Sequence, residues 1–235
     1  MLARQRPSLD MAACCEPTGE TKVEKLRRYG YSSAELESIP ESVKVMSDGC
    51  GNPTGLGVIK EGETVLDLGS GGGIDVLLAS KKVGPCGRVV GLDMTPAMVE
   101  SAAENVRKLH LENVEFKLGE IEKIPMQSQS VDVIISNCVI CLSPDKEAVF
   151  REMHRVLKHG GRLAVADEVA VRQFSSEERS DPDKWCSCVS GAITEEEYRD
   201  ALRKSQFDEI YVKQLRPASG QLPGVFSAFI SAIKR

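Results

Sequence analysis

Strand and helix patterns alternate at short spacing from residue 64 onward, and this alternation limits the fold more than any other feature. Apolar, β-branched runs predict five successive strands, at 64–68, 88–93, 113–118, 131–137 and 162–167. Helical spacing between them, as over 74–82, implies parallel strands joined by right-handed crossovers. Two further strands, 208–215 and 226–233, are joined without a helix and should pair antiparallel at an edge. We therefore expect a doubly wound α/β fold with a mostly parallel seven-stranded sheet.

Capping residues mark where several helices should begin. Capping-box spacing occurs twice, at Ser32 with Glu35 and at Thr194 with Glu197. Thr95 and Pro96 have the residue types of an N-cap followed by a first helical position. Another helix should begin at Ser143 and Pro144 and end at Gly160, with a core face formed by Val149, Phe150, Met153, Val156 and Leu157.

The length of 235 residues is within the range of a single domain. Residues 1–20 contain prolines and a glycine but neither helical nor strand periodicity, which predicts a mobile N-terminal arm. We expect residues 21–235 to form one domain. Within it, two loop segments near 47–57 and 168–194 contain cysteines and are free to fold over a site.

Charge and hydropathy exclude two classes of partner. A formal net charge of −5 gives no long-range attraction to nucleic acid or to anionic lipid. No apolar run is long enough to cross a bilayer, and no apolar segment follows the first arginines as it would in a secretory signal. We therefore expect a cytoplasmic protein without nucleic-acid or membrane partners. Its eight cysteines should be mostly reduced there, which favours thiolate chemistry over a disulfide framework.

A glycine-rich turn follows the first predicted strand. Its characteristic residues are one acid and three alternate glycines, Asp67, Gly69, Gly71 and Gly73, and such a turn lets a ligand approach the backbone. Asp93 lies at the end of the second strand, where a carboxylate can accept hydrogen bonds from two ribose hydroxyls. Ile74 stands where a dinucleotide-binding fingerprint would have a further glycine.

This Gly-x-Gly-x-Gly pattern with its preceding acid resembles the class I S-adenosylmethionine methyltransferases, over roughly residues 60–233. The resemblance implies S-adenosylmethionine as the cofactor. It further implies that Met94 packs on the adenine and that Gly119 and Glu120 face the adenine edge. Asn137, at the end of the fourth strand, is expected near the methionine portion.

Three cysteines come from separate segments that should meet at this cofactor. Cys138 ends the fourth strand beside the first, Cys50 lies in a glycine-rich turn, and Cys188 lies in the excursion after the fifth strand. Three converging thiolates suit a soft ion such as trivalent arsenic or antimony and leave its lone pair free to attack a methyl group in line. We expect lowered thiol pKa values to assist loading.

Several longer motifs look like those of arsenite methyltransferases. They are Gly49-Cys50-Gly51-Asn52-Pro53, residues 135–140 with 142–146, and Trp185 to Cys188 followed by Gly191-Ala192. The resemblance implies that Cys50, Cys138 and Cys188 hold the arsenic of arsenite or methylarsenite, and that the product is a methylated arsenical. Cys141 stands where that family usually has asparagine, and Cys186 forms a Cys-x-Cys pair that leaves the choice between Cys186 and Cys188 open.

Electron counting adds a redox requirement. Methylation through the lone pair leaves arsenic formally pentavalent, so two electrons must return from thiols before a trivalent product leaves. We expect an external thiol reductant, glutathione or thioredoxin, and hypothesise that Cys14 or Cys15 in the N-terminal arm relays the electrons by a disulfide with Cys50. Incidental cysteines in a disordered tail are the alternative.

Three other functions stay open. Structural zinc could use Cys138-x-x-Cys141 with Cys186-x-Cys188. A thiol-based metalloid sensor would share the cysteines but would not need the glycine turn. A methyltransferase for another small acceptor would need a base or a shaped apolar pocket. Cofactor binding and an arsenite methylation assay discriminate among them.

Overall fold

The computed structural model describes residues 20–57, 59–217 and 224–235. Cys14, Cys15 and the rest of residues 1–19 lie outside the described residues, so the predictions for the N-terminal arm stay predictions. None of the helices in the described ranges combines the length and apolar composition that a membrane crossing requires.

Seven strands form one sheet in the order β3-β2-β1-β4-β5-β7-β6. Their bounds are β1 Thr64–Leu68, β2 Arg88–Asp93, β3 Val114–Leu118, β4 Val131–Asn137, β5 Leu157–Ala170, β6 Phe207–Arg216 and β7 Val225–Lys234. The first five are parallel, whereas β7 runs antiparallel to both β5 and β6. The predicted fold class is confirmed. The antiparallel strand β7 lies one position inside the edge, which β6 occupies.

Helices cover both faces of this sheet. Their bounds are α1 Lys22–Arg28, α2 Ser33–Glu37, α3 Glu41–Met46, α4 Pro53–Leu56, α5 Ile74–Val83, α6 Pro96–Lys108, α7 Lys146–Val156, α8 Ser176–Arg179, α9 Pro182–Cys186 and α10 Glu195–Lys204. The predicted capping boxes at the start of α2 and α10 are present, and Pro96 is the first residue of α6.

Successive side chains of β1 point to opposite faces of the sheet, so the strand contributes to the apolar core on both faces. Val65 packs with α5, whereas Leu66 and Leu68 pack with the apolar stripe of α7. Full burial of each such side chain contributes about 1.5–3 kcal/mol relative to exposure. The short helices α1–α3 bury their apolar side chains against α5 and α6, so the N-terminal helices share a core with the sheet domain.

The prediction for α7 is wrong at both ends. The helix begins at Lys146, because the Asp145 side chain accepts a hydrogen bond from the N–H of Ala148 and acts as the N-cap. It ends at Val156, because Leu157 is extended and pairs with Val131 as the first residue of β5. Gly160, expected to end the helix, has φ +76° and lies where the register between β4 and β5 shifts.

The strand order reverses between β1 and β4, which lie side by side with Leu68 opposite Ser136. In such sheets, ligands bind outside the carboxyl ends of the strands at this switch point. The glycine-rich turn after β1 and Cys138 after β4 both lie at this position.

Candidate active site

The glycine-rich turn links β1 to α5 through a backbone that ordinary side chains rarely adopt. Gly69, Gly71 and Gly73 have φ of +69°, +48° and +90°. The N–H groups of Gly69 and Ser70 donate to the carbonyl of Leu92, at 2.8 and 2.9 Å. The turn is therefore held against the end of β2 by its own backbone.

Asp93 fastens the same turn with its side chain. Its carboxylate accepts one hydrogen bond from the N–H of Gly71 and another from the N–H of Thr95, each at 2.9 Å. The carboxylate has further lone pairs that could accept hydrogen bonds, and its predicted contact with ribose hydroxyls stays a prediction.

The Ser70 hydroxyl in this turn is buried and has no hydrogen-bond partner within the described residues. Buried hydroxyl groups in folded proteins almost always have a partner. A polar ligand bound against the turn would supply one.

Two more carboxyl groups lie buried beside the turn. Burial raises the pKa of Asp67 well above its ordinary value, and the nearby carboxylates of Asp75 and Asp93 raise it further. Burial raises the pKa of Asp75 to about 6, although hydrogen bonds from Tyr31 and Asn137 oppose this shift. A concentration of carboxyl groups at one position favours a positively charged ligand.

Apolar side chains are exposed at the ends of the next two strands. Met94 is 66% exposed and Leu118 is 55% exposed, although both are large hydrophobic residues. Leu118 pairs with Asp93 in the sheet, and Gly119 N–H donates to the carbonyl of Asp93 at 3.0 Å. Met94, Gly119 and the exposed Glu120 thus lie together at this edge, beside an apolar surface that suits a flat ring such as adenine.

Asn137 joins the turn to the first cysteine segment. Its side-chain oxygen accepts from the N–H of Cys50 at 2.9 Å, and its amide nitrogen donates to the Asp75 carboxylate at 3.2 Å. The same nitrogen lies 3.1 Å from the Tyr31 hydroxyl, which itself donates to Asp75. Gly49 has φ +147°, and a Cβ at this position would overlap the Asn137 amide, so a side chain before Cys50 would strain the backbone and displace that amide. The Asn137 amide therefore already has several hydrogen-bond partners, and a contact with a cofactor, as predicted, would add to them.

Four cysteine thiols converge at the end of β4. The sulfur atoms of Cys138, Cys141 and Cys188 all lie within 4.8 Å of one another. Cys50 and Cys138 form a second such group, whose third ligand atom is a carboxylate oxygen of Glu168. Cys138 is the member that both groups share. The sequence predicts Cys50, Cys138 and Cys188 but does not identify Cys141 or Glu168 as neighbours of these thiols.

Two of these cysteines have an unusual backbone. Cys138 and Cys188 have φ of +59° and +62°, in the left-handed region, which costs about 1–3 kcal/mol for each residue. The N–H of Cys138 donates to the carbonyl of Ala166 at 2.8 Å, and the Cys188 thiol donates to the carbonyl of Cys138 at 3.7 Å. Strained backbone of this kind concentrates at functional sites.

Thiol acidity differs from the expectation. Burial raises the pKa of Cys50 to about 12 and raises the pKa of Cys141 as well. The expectation of lowered thiol pKa values is wrong, because burial removes water and because Asp167 and Glu168 place negative charge nearby. These thiols are protonated at neutral pH.

The remaining two cysteines in the described ranges lie elsewhere. Cys86 is exposed in the turn between α5 and β2. Cys186 ends α9 and belongs to neither of the two groups formed by the described residues, whereas Cys188 belongs to one. The four sulfurs that the zinc alternative requires are therefore not brought together.

Asp167 and Glu168, at the buried end of β5, were missed as site residues. Asp167 accepts hydrogen bonds from the N–H of Cys141 at 3.1 Å and from the Tyr198 hydroxyl at 3.3 Å, and burial raises its pKa to about 7. Glu168 accepts from the Ser227 hydroxyl at 2.7 Å. Two consecutive acids inside an apolar strand are the sequence signal that could have identified them.

Comparisons with known proteins agree on a methyltransferase. Residues 59–206 match the family described as "Methyltransferase domain". The arsenite methyltransferase of Halobacterium salinarum is 43% identical over 199 residues, which cover 85% of this chain and 50% of that protein. The arsenite methyltransferase of Homo sapiens is 39% identical over 170 residues, 67% of this chain and 44% of the human protein. The chain thus spans about half the length of these curated relatives.

A solved structure agrees as well. The crystal structure of an arsenic(III) S-adenosylmethionine methyltransferase from Chlamydomonas reinhardtii superposes with a TM-score of 0.74 at 33% identity. The match covers 86% of this chain and 72% of the algal chain.

Proposed function

This chain belongs to the arsenite methyltransferases, a family of methyltransferase-domain proteins, and on that premise we propose that it transfers the methyl group of S-adenosylmethionine to trivalent arsenic bound by cysteine. The observation that carries the proposal is one chain of hydrogen bonds. It runs from the N–H of Cys50 through the Asn137 amide to Asp75, the second residue of α5. The cysteine groups and the glycine-rich turn are therefore neighbours.

The residues around the turn fit S-adenosylmethionine. We assign the cofactor to Asp67, Gly69, Gly71, Gly73, Asp93, Met94, Gly119 and Glu120, with Asn137 beside its methionine portion. The exposed Met94 and Leu118 supply an apolar surface for adenine, Asp93 supplies acceptors for ribose, and Ser70 has a hydroxyl in need of a partner. When bound, S-adenosylmethionine supplies an electrophilic methyl group on a positively charged sulfonium. Burial raises the pKa of Asp67 and Asp75, and a positive charge bound nearby would favour the ionised form of these carboxyl groups.

We assign the arsenic to Cys50, Cys138 and Cys188. Arsenite carries three hydroxyl groups at neutral pH, so three thiols replace them with the release of three waters: As(OH)₃ + 3 RSH → As(SR)₃ + 3 H₂O. Protonated thiols suffice for this exchange, since each thiol proton leaves in a water molecule. The bound arsenic retains its lone pair, and the role of the protein is to orient it and to exclude water.

For the redox step we propose an external thiol reductant. Methyl transfer leaves arsenic two electrons short of the trivalent state, and a thiol reductant such as glutathione or thioredoxin would return them. Relay through Cys14 or Cys15 stays a hypothesis.

We propose that the protein is located in the cytoplasm, because a reducing compartment keeps the site thiols free for this chemistry. A metalloid sensor would use the thiols but would leave the turn and its contacts with Asp93 without a purpose.

The proposal is tested by incubating the protein with arsenite, S-adenosylmethionine and glutathione. Methyl groups on arsenic and S-adenosylhomocysteine should accumulate in equal amounts until the reductant is exhausted, as measured by chromatography of the arsenic species and of the cofactor product. Cofactor binding by calorimetry is measured in parallel. A protein that binds both ligands but forms no methylated arsenic would be a sensor, and the proposed function would be wrong.

A further inference from the structure

Among the described residues, the three sulfurs that lie mutually within 4.8 Å differ from the set that the family resemblance implies. Cys138, Cys141 and Cys188 have their sulfur atoms mutually within 4.8 Å, and this group does not include Cys50. Metal–thiolate bonds are about 2.3 Å long, so two sulfurs at the roughly tetrahedral angles of a single centre lie about 3.8 Å apart. Sulfurs that are separated by as much as 4.8 Å therefore need to approach by about 1 Å to bind one soft ion.

Cys141 is held in place from several directions. It lies in the short 3₁₀ helix Ile140–Leu142 and is only 1% exposed. Its N–H donates to Asp167 at 3.1 Å, and its carbonyl accepts from the Lys146 ammonium at 3.2 Å. A Cβ at Gly191 would overlap that carbonyl, so the chain after Cys188 packs directly on Cys141. Packing alone explains a buried cysteine, but it does not require two further sulfurs to converge on it.

We propose that Cys141 completes a second three-thiol site with Cys138 and Cys188, which binds trivalent arsenic without Cys50. The inference rests on the proposed function, because it concerns the same substrate. Loading needs no oxidant or reductant: three thiols replace three hydroxyl groups of arsenite, and three waters leave. Cys138 and Cys188 belong to both sets, so the two sites exclude each other. The chain then binds one arsenic, which exchanges Cys50 for Cys141 while two bonds to sulfur persist.

Arsenite binding to Cys50→Ser tests the second site directly. Arsenite is added to the full chain with a phosphine reductant, which leaves no competing thiol, and X-ray absorption counts the sulfurs around arsenic. Cys50→Ser should bind one arsenite with three sulfurs and an affinity within about tenfold of the unmodified chain. Cys50→Ser/Cys141→Ser should retain two sulfurs and bind at least about tenfold more weakly. Cys50→Ser/Cys186→Ser is the matched control and should behave as Cys50→Ser.

The inference would be overturned if arsenic bound to Cys50→Ser had only two sulfur neighbours. It would also be overturned if adding Cys141→Ser to Cys50→Ser changed neither the sulfur count nor the affinity for arsenite. Because Cys141 is buried, Cys141→Ala is made in parallel, and circular dichroism of both variants establishes that they fold. If Cys141→Ser fails to fold, Cys141→Ala takes its place in the double variant, and Cys14→Ser/Cys15→Ser added to Cys50→Ser shows whether the third sulfur comes from the N-terminal arm. Methylation by the unmodified chain separates the two proposals. A chain that methylates arsenite but has only two sulfurs in Cys50→Ser refutes the second site and leaves the proposed function intact.

Discussion

Two regions at the carboxyl ends of the strands are built in different ways. We call them the cofactor edge, which contains the glycine-rich turn and Asp93, and the cysteine edge, which contains Cys50, Cys138 and Cys188. The cofactor edge comes mainly from one contiguous stretch, Asp67 to Met94, and backbone hydrogen bonds hold its glycine-rich turn against β2. The cysteine edge gathers Cys50, Cys138 and Cys188 from segments that are 88 and 50 residues apart in the chain. Side-chain contacts assemble it, above all those of Asn137 and Asp167.

The cofactor edge follows from the fold, whereas the cysteine edge depends on residues particular to this chain. A doubly wound sheet places a turn after β1 and a carboxylate after β2 whatever the acceptor is. The sulfur groups depend on individual residues, such as Gly49 and Gly191, whose lack of a side chain lets separate segments touch. Substitutions at the two edges should therefore have separable effects on cofactor and on arsenic.

The largest separation is expected for Cys138→Ser, because Cys138 belongs to both groups. Methylation of arsenite should fall by at least about a thousandfold, since a hydroxyl is a poor ligand for a soft ion. Affinity for S-adenosylmethionine should stay within about twofold, because the glycine turn is unchanged. Turnover assays and calorimetry measure the two quantities. Cys86→Ser, at an exposed turn, is the control. Retention of a tenth of the activity or more would remove Cys138 from the arsenic site.

Asp93→Ala should show the opposite pattern. Loss of hydrogen bonds to a charged acceptor costs about 1.5–3 kcal/mol, equivalent to roughly 10- to 150-fold weaker cofactor binding. Arsenite binding should not change, because the contacts of Asp93 are with Gly71 and Thr95. Calorimetry with each ligand checks both statements, and Asp208→Ala, an exposed acid on β6, is the control. Equal cofactor affinity in Asp93→Ala and the unmodified chain would contradict the assignment.

The Asn137 side chain forms hydrogen bonds to both the cysteine edge and the start of α5, so Asn137→Ala should remove contacts that link the two regions. The variant loses partly buried hydrogen bonds to Cys50 and Asp75, which should lower the free energy of unfolding by about 1–3 kcal/mol. Each ligand should still bind, but turnover should fall about tenfold because the acceptor is less well oriented.

Asn113→Ala is the matched control for Asn137→Ala. The Asn113 amide donates to two backbone carbonyls, of Ser80 and Gly84, away from the site. Denaturant unfolding should show a comparable loss of stability in this variant, with turnover unchanged. An equal fall of turnover in both variants would mean that Asn137 acts only through stability.

Sequence periodicity predicts the sheet well, because strands buried in a parallel sheet form short apolar runs between helical patterns. The predicted end of α7 was misplaced, since Gly160 is equally compatible with a helix end and with the left-handed residue of a strand irregularity.

In the candidate site, the glycine turn and Asp93 were predictable from local spacing. The neighbours of Cys138 were not, because the approach of Cys141, Glu168 and Cys188 depends on packing between distant segments. The raised thiol pKa values follow from the same burial.

The smallest effect is expected for Cys186→Ser, and the pair Cys186 and Cys188 sharpens the comparison within the cysteine edge. The two residues are separated by only one position, yet Cys188 has φ +62° and its thiol donates to the Cys138 carbonyl. Cys186, at the end of α9, belongs to neither group of ligand atoms among the residues described.

Methylation of arsenite should therefore stay within about twofold in Cys186→Ser and be lost in Cys188→Ser, since substitutions away from such contacts have little effect. Initial rates with arsenite, measured at saturating S-adenosylmethionine, distinguish the two variants. An inactive Cys186→Ser beside an active Cys188→Ser would show that the segment after Trp185 turns the other thiol toward arsenic. The cysteine edge would then rearrange on binding, whereas the cofactor edge would keep the hydrogen bonds that hold its turn against β2.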